Sequence, residues 1–130
     1  MKLKMFLCTL ALLFTSLGLF AQNAIDKAVD EYSSIGNSKF TSAVERDPQT
    51  RKVLKVVKVL QPTNITINKL RRAFLNEQES GQFSIVTNDN EETMTLTVEN
   101  NQENRVYMMQ YENHGASFTN GKVTIIIKYK

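Results

Sequence analysis

The chain has 130 residues, of which 16 are Lys or Arg and 13 are Asp or Glu, and it contains one cysteine, Cys8. A single cysteine excludes an intramolecular disulfide, so the stability of the fold must come from packing. Two basic residues, Lys2 and Lys4, belong to the first segment of the chain. Without them the net charge falls from +3 to +1, and so small an excess disfavours a nucleic-acid partner.

The first 21 residues have the layout of a secretory signal peptide. A short basic start is followed by an apolar run over residues 5–19 and by Ala21, after which the composition turns polar at Gln22. The apolar run is shorter than the ~20 residues that span a bilayer, so we expect cleavage after Ala21 rather than a membrane anchor. Cys8 lies inside the apolar run and not at the cleavage point, which argues against a lipoprotein. We therefore predict a periplasmic or secreted protein, with residues 22–130 forming a single domain without a membrane span.

A first helix is predicted to begin behind Asn23, whose side chain can cap it, and to end at Gly36. Asp26 near its start suits the helix dipole. A strand follows over residues 40–45. The next four residues, 47–50, have turn chemistry, because an Asp side chain can bond its own backbone and Pro fixes φ at the second position.

Residues 52–61 permit two interpretations. Their apolar positions fit one face of a helix, with lysines on the other face. Four valines within seven residues favour extended structure instead, because branching at Cβ restricts χ1. The preceding turn and the following Pro62 suit a hairpin, so we predict a strand with a β-bulge that corrects its imperfect alternation.

A second helix is predicted behind Asn64 or Thr66, either of which can cap it, and it ends before Gly81. After this glycine the hydrophobic pattern changes to period two, which indicates strands. We predict the strands over residues 83–87, 93–98, 106–111 and 122–129, with a turn at 88–91 and a loop at 100–104. The dipeptide Asn120-Gly121 predicts a tight turn just before the last strand.

The predicted order of elements is α-β-β-α-β-β-β-β. Strands joined by short turns form an antiparallel sheet, and two amphipathic helices can cover one of its faces. We therefore expect an α+β two-layer sandwich. If the second face is open, some of the aromatic and Met side chains of the last strands point outward with Ile126 and form a surface suited to binding partners. These side chains are Tyr107, Met108, Met109, Tyr111 and Tyr129.

Four segments carry a resemblance to a known family: residues 41–52, 69–74, 105–109 and 123–127. Together they resemble a family of small exported domains of unknown function from gut Gram-negative bacteria. The resemblance implies export and a compact domain without an assigned activity. It provides no catalytic or binding residue that could be transferred to this chain.

The sequence offers few groups for catalysis. His114 is the only histidine and falls in a predicted exposed loop, so neither a zinc site nor a triad with Ser117 is expected, and no G-x-S-x-G motif is present. The acidic residues near the turn at 88–91 suit a solvated surface. A small carboxylate-dependent hydrolase remains an alternative, with Glu91, Glu92 or Glu112 as its acids. We predict no catalytic residue, no cofactor and no metal site.

Basic residues concentrate in the segment 51–72, which contains no acidic residue. They can protect a sheet edge, pair with the acidic second half of the chain, or bind a partner. Our leading hypothesis is an exported non-catalytic binding domain for an unknown protein or anionic envelope component. It would use either an open sheet face or this basic strip, and an electrostatic binder of anionic envelope polymers is a further alternative. The strip comprises Arg51, Lys52, Lys55, Lys58, Lys69, Arg71 and Arg72.

Overall fold

The computed structural model describes residues 22–130, so the predicted signal peptide lies outside the described residues. The described chain contains two helices and six strands in the order α-β-β-α-β-β-β-β, which confirms the predicted α+β fold. The helices are α1 (Ala24–Tyr32) and α2 (Ile67–Asn76), the latter preceded by a 3₁₀ turn (Asn64–Thr66). The strands are β1 (Lys39–Arg46), β2 (Val53–Gln61), β3 (Gln82–Asn88), β4 (Glu91–Glu99), β5 (Glu103–Asn113) and β6 (Phe118–Tyr129).

All neighbouring strands pair antiparallel in one six-stranded sheet with the spatial order β1-β2-β6-β5-β4-β3. The strands β1 and β3 are therefore the two edges of the sheet. The chain builds one half of the sheet from hairpin β1–β2 and the other from the meander β3–β6. Strand β6 then closes the sheet by pairing with β2.

Helix α1 begins with the predicted cap. The Asn23 side chain accepts hydrogen bonds from the backbone N–H groups of Ile25 and Asp26 at 2.9 and 3.0 Å, and Asp26 accepts the Asn23 N–H in return at 3.0 Å. This reciprocal capping box satisfies N–H groups that a helix start leaves unpaired. The helix ends at Tyr32 rather than at the predicted Gly36, because the chain tightens there into i→i−3 hydrogen bonds.

Residues 53–61 form a strand, so the helical interpretation of this segment is wrong. The pairing register with β1 shifts at the end of the hairpin, where Glu45 lies opposite Lys55 but Arg46 lies opposite Val53. Leu54 is thus an extra residue, which confirms the predicted bulge. The predicted turn is also present, since Asp47 accepts hydrogen bonds from two backbone N–H groups of the turn.

Helix α2 lacks the predicted side-chain cap. Thr66 occupies the N-cap position, but its hydroxyl donates to the carbonyl of Thr63 at 2.8 Å. Asn64, the other predicted cap, is the first residue of the 3₁₀ turn and not the N-cap residue of the helix. The 3₁₀ turn runs directly into the helix, so the N–H of Ile67 already bonds the carbonyl of Asn64. Continuity with this turn replaces the side-chain cap.

The dipeptide Asn120-Gly121 does not form the predicted turn. It lies within β6, and the β5–β6 hairpin instead turns at residues 114–117. Both residues of the dipeptide lie opposite Tyr111 of β5, so they form a β-bulge, in which Asn120 has a φ of 53°. A Cβ on Gly121 would come within 2.8 Å of the Ile67 side chain, so the missing side chain allows the start of α2 to pack on the bulge.

The two helices cover one face of the sheet, and the core lies between the two layers. Strands β4, β5 and β6 contribute most of the buried side chains, whereas every residue of β1 is exposed. No described strand residue on the opposite face is fully buried. The core comprises Ile25, Val29, Leu60, Ile67, Leu70, Ala73, Phe74, Met94, Leu96, Tyr107, Met109, Tyr111, Val123, Ile125 and Ile127.

The approach of the segment before β3 to β4 requires a glycine at position 81. A Cβ there would lie 2.2 Å from the carbonyl oxygen of Thr97, which is a backbone atom and cannot move away without distorting β4. We expect Gly81→Ala to lower the free energy of unfolding by about 1–3 kcal/mol. The matched control is Gly36→Ala, because a Cβ at Gly36 meets nothing within 4 Å and its φ is outside the left-handed region. Urea unfolding followed by circular dichroism measures both, and equal stability of the two variants would contradict the close approach.

Candidate interaction surface

The sheet face that the helices leave uncovered has an apolar centre, and we call it the open face. In one row Val57 of β2, Ile126 of β6 and Val106 of β5 stand side by side, and in the next Val59 and Met108 flank a threonine. All are partly exposed. The centre of the open face consists of Val57, Val59, Val106, Met108, Ile126, Thr93, Thr95, Thr97 and Thr124.

The outward-pointing residues that the sequence predicted are only partly those of the open face. Met108 and Ile126 do lie on it, whereas Tyr107, Met109 and Tyr111 are buried beneath the helices. Their alternation along β5 follows from the period of a strand, which sends neighbours to opposite faces. Tyr129 lies near the end of β6, on the helix-facing side with Ile127, and remains partly exposed.

The rim of the open face is charged, with lysines on β1, β2 and β6 and glutamates on β4 and β5, and with one further glutamate, Glu45, on β1 opposite Lys55. Lys55 lies directly opposite Lys128, and Glu91 lies directly opposite Glu112. Like charges in these positions reduce the stability of a sheet. The face therefore carries two like-charge pairs, beside one opposite-charge pair between Glu45 and Lys55. The rim residues are Lys39, Glu45, Lys55, Glu91, Glu99, Glu112, Lys122 and Lys128.

A polar groove of about 480 Å³ lies at one end of the open face. Amide side chains dominate its lining, together with charges of both signs, so it can donate and accept several hydrogen bonds. The amides are those of Asn37, Gln61, Asn64, Gln110 and Asn120, and the charges are those of Lys39, Lys122, Glu91 and Glu112.

Two of the three candidate acids of a hydrolase, Glu91 and Glu112, lie opposite each other on the open face, and the third does not. Glu92 lies on the helix-facing side and accepts hydrogen bonds from the hydroxyl of Tyr111 and from Asn113, which lower its pKa. Glu112 accepts hydrogen bonds from Asn120 and Thr119, which lower its pKa as well. Glycoside hydrolysis needs one carboxyl group whose pKa is raised, so that it can donate a proton. Neither of these two residues is such a group.

His114 is exposed in the β5–β6 turn, as predicted, and no triad with Ser117 forms. Its Nε2 lies 3.0 Å from Thr119 Oγ1 and 3.4 Å from a carboxylate oxygen of Glu112. A catalytic triad uses one ring nitrogen for the nucleophile and the other for the acid. Here a single nitrogen faces both groups, and the Thr119 hydroxyl also contacts the carboxylate directly. The cluster therefore lacks the geometry of a proton relay.

A buried polar network holds α1 on the sheet. Asp26 is only 5% exposed, and it accepts hydrogen bonds from the Tyr107 hydroxyl at 3.0 Å and from Arg105 Nη1 at 3.2 Å. Arg105 also donates to Glu103 at 2.8 Å. Burial raises the pKa of Asp26, while the backbone hydrogen bond from Asn23 and the charge of Arg105 oppose the rise. The network is structural, and sequence reasoning assigned Asp26 only a helix-dipole role.

A second cluster connects α2 to the far end of the sheet. Arg71 donates to the Tyr111 hydroxyl at 2.8 Å and places its guanidinium 5.3 Å from the ring centre of Phe118. The two rings meet edge to face at 5.4 Å. Burial and the hydrogen bond to Glu92 raise the pKa of Tyr111 to about 12. Nothing in the local sequence signals this cluster, since its members come from four different elements.

The seven residues of the predicted basic strip do not share one surface. Arg51 and Lys52 lie in the β1–β2 turn, and Arg71 is engaged with aromatic rings as described. Lys55 lies on the open face, whereas Lys58 lies on the helix-facing side, where its charge opposes the rise in the pKa of Asp26. Lys69 and Arg72 are exposed on α2. The structure thus distributes the strip over both sides of the sheet.

Comparison with models of protein families, with curated proteins and with solved structures gives no significant match. Neither described helix combines the length and the apolar character that crossing a membrane requires. Within residues 22–130, no group of three or more His, Asp or Glu side chains is placed to hold a metal ion. The candidate surface therefore rests on its geometry alone.

Removing the Asp26 carboxylate tests the buried network. We expect Asp26→Ala to lower the free energy of unfolding by about 1–3 kcal/mol, because it removes a buried acceptor that both Arg105 and Tyr107 contact, and with it one half of the capping box. The matched control is Asp30→Ala on the same helix, where the carboxylate is exposed, and a change of at most about 0.5 kcal/mol is expected. Chemical denaturation measures both, and a similar small effect for the two variants would contradict the role of Asp26.

The Glu92–Tyr111 hydrogen bond predicts a pH dependence of stability. A carboxyl group whose pKa is lowered by folding stabilises the protein above its unfolded pKa of ~4.3, and this contribution is lost as the pH falls through the folded pKa. We therefore expect stability to fall less steeply below pH ~5 in Glu92→Gln and in Tyr111→Phe than in the parent protein. Denaturant midpoints measured from neutral to acidic pH provide the check. Identical slopes in all three proteins would show that the bond does not couple to folding.

Proposed function

We propose that the protein is an exported, non-catalytic binding domain that contacts a protein partner through the open face. The observation that carries the proposal is the apolar centre of this face, which no described element covers. Export is inferred from the leader-like first 21 residues. The lowered pKa values of Glu92 and Glu112, where a hydrolase needs a carboxyl group with a raised pKa, favour binding over hydrolysis.

The composition of the open face matches that of a contact surface. Protein interfaces combine an apolar centre, often containing Met, with a polar and charged rim. Met108, Ile126 and the neighbouring valines provide such a centre, and its lysines and glutamates provide the rim. The pairs Lys55–Lys128 and Glu91–Glu112 reduce the stability of the free protein, so a partner that neutralised them would gain binding energy from their relief.

The charges of the open face favour a protein partner over an anionic polymer. A polyanion would gain contacts with the lysines on one side of the face but would meet Glu91, Glu99 and Glu112 on the other. A protein surface can instead present acidic and basic groups in the complementary order. The residues of the predicted basic strip lie on both sides of the sheet, which also favours a protein partner over an anionic polymer.

Crosslinking in envelope extracts tests the proposal with a matched pair of variants. Met108→Glu places a charge at the centre of the open face, and we expect it to reduce the yield of a specific crosslinked product at least about tenfold, because the charge would be buried without a partner. The control Lys69→Glu changes an exposed residue of α2, on the other side of the protein, and should leave the yield unchanged. Circular dichroism verifies that both variants fold.

Three results would contradict the proposal. A protein that gives no specific crosslink has no partner of the proposed kind. Loss of the product in Lys69→Glu but not in Met108→Glu would place the contact on the helix side. Capture that disappears entirely at moderately raised salt would indicate an electrostatic polymer contact instead, because screening removes interactions between exposed charges.

A further inference from the structure

The edge strand β1 is long, regular and uncovered on its outer side. It pairs with β2 on one side, and no described element lies against its outer side. All eight of its residues are exposed. The strand is regular from Lys39 to Glu45, since the register shifts only between Glu45 and Arg46 and the extra residue lies in β2. Alternate residues of this seven-residue extended segment thus present unpaired backbone N–H and C=O groups on the outer side.

Two apolar side chains on β1 are exposed on the side that faces the helices. Phe40 is 37% exposed and Val44 is 50% exposed, because the helix layer does not reach this edge. Lys39 and Glu45 lie on the same strand but on the open face. The edge therefore has an apolar side and a charged side, which are separated by the pleat of the strand.

We propose that β1 is a self-association edge, which joins two copies of the protein antiparallel into one continuous sheet. The two-fold axis passes through the sheet at Ser42. Cross-strand neighbours must lie on the same face of the combined sheet, so only registers centred on a residue are possible. Centred on Ser42, the register places Phe40 opposite the second copy's Val44 and Lys39 opposite the second copy's Glu45.

The sequence of β1 selects this register over its neighbours. The symmetric pairing forms two aromatic–aliphatic contacts on one side and two opposite-charge pairs on the other, both of which stabilise sheets. A shift of the centre to Thr41 or Ala43 removes the Lys39–Glu45 pairs. It also places Phe40 opposite Ser42 or Arg46. Charged side chains usually prevent two edge strands from pairing, but here the charges of one β1 strand complement those of the β1 strand in the second copy.

The other edge offers no comparable specificity. Strand β3 contains no charged residue, and its exposed Ile85 and Val86 point to opposite faces. Nothing along β3 distinguishes one register from another. Pairing through β1 also places the open faces of the two copies side by side, although it does not depend on the proposed function, which uses the face and not the edge.

Sedimentation of the purified protein over a range of concentrations tests the pairing. We expect a monomer–dimer equilibrium without larger species, because each copy has one such edge. Lys39→Glu turns both opposite-charge pairs into like-charge pairs and should weaken dimerisation by about tenfold or more. Glu45→Lys should weaken dimerisation to the same extent. Lys39 lines the polar groove and Glu45 does not, so equal effects of the two variants cannot come from the groove. The double variant Lys39→Glu/Glu45→Lys restores both pairs and should recover the dimer.

A crosslink identifies the strand that pairs. In a Cys8→Ser background, Ser42→Cys places one thiol from each copy at the two-fold axis, where opposite Cα atoms are ~4.5–5.5 Å apart and a disulfide can form. The matched control is Ile85→Cys at the centre of β3, which should not crosslink. A monomer at every concentration would overturn the proposal. So would a dimer that ignores both charge variants, or one that crosslinks through Ile85→Cys rather than Ser42→Cys.

Discussion

The width of the helix layer limits how much of this sheet can be buried. Two α-helices side by side cover about 20 Å, whereas the outer strands of a six-stranded sheet are about 24 Å apart, before their own width is added. The helices pack over the central strands, so β1 is left exposed along its whole length and β3 over most of it. The second face receives no cover from any described element. Both proposed contact surfaces, the open face and the β1 edge, follow from this incomplete cover.

The buried network under α1 decides which side chains reach the open face. Asp26 binds Tyr107 and Arg105, which are two residues apart on β5 and therefore point to the same side. Val106 and Met108, which alternate with them, must then point outward. A slip of one residue in the register would exchange the two sets and bury the wrong one. A polar contact on the covered side thus fixes the composition of the surface on the other.

The fold could be predicted from local patterns, because helical and two-residue periodicities are properties of short segments. The cap at Asn23, the bulge in the valine-rich strand and the order of the elements all follow from neighbouring residues. The errors have a different origin. Asn120-Gly121 has the same backbone preference in a bulge as in a turn, so only the pairing partner decides between them. The residues of the basic strip lie on different surfaces, because Lys55 and Lys58 point to opposite faces of β2 and Arg71 lies on α2. The burial of Asp26 depends on Arg105, which is distant in sequence.

The solvent accessibility of three methionine methyl groups tests the central claim most directly, namely that this sheet is covered on one face only. Met94 and Met109 lie beneath the helices, whereas Met108 lies on the open face next to Met109 in sequence. In the purified protein, a soluble paramagnetic agent should broaden the methyl resonance of Met108 strongly and leave those of Met94 and Met109 nearly unchanged. Protection of Met108 equal to that of Met109 would show that the second face is covered as well, and would contradict the account.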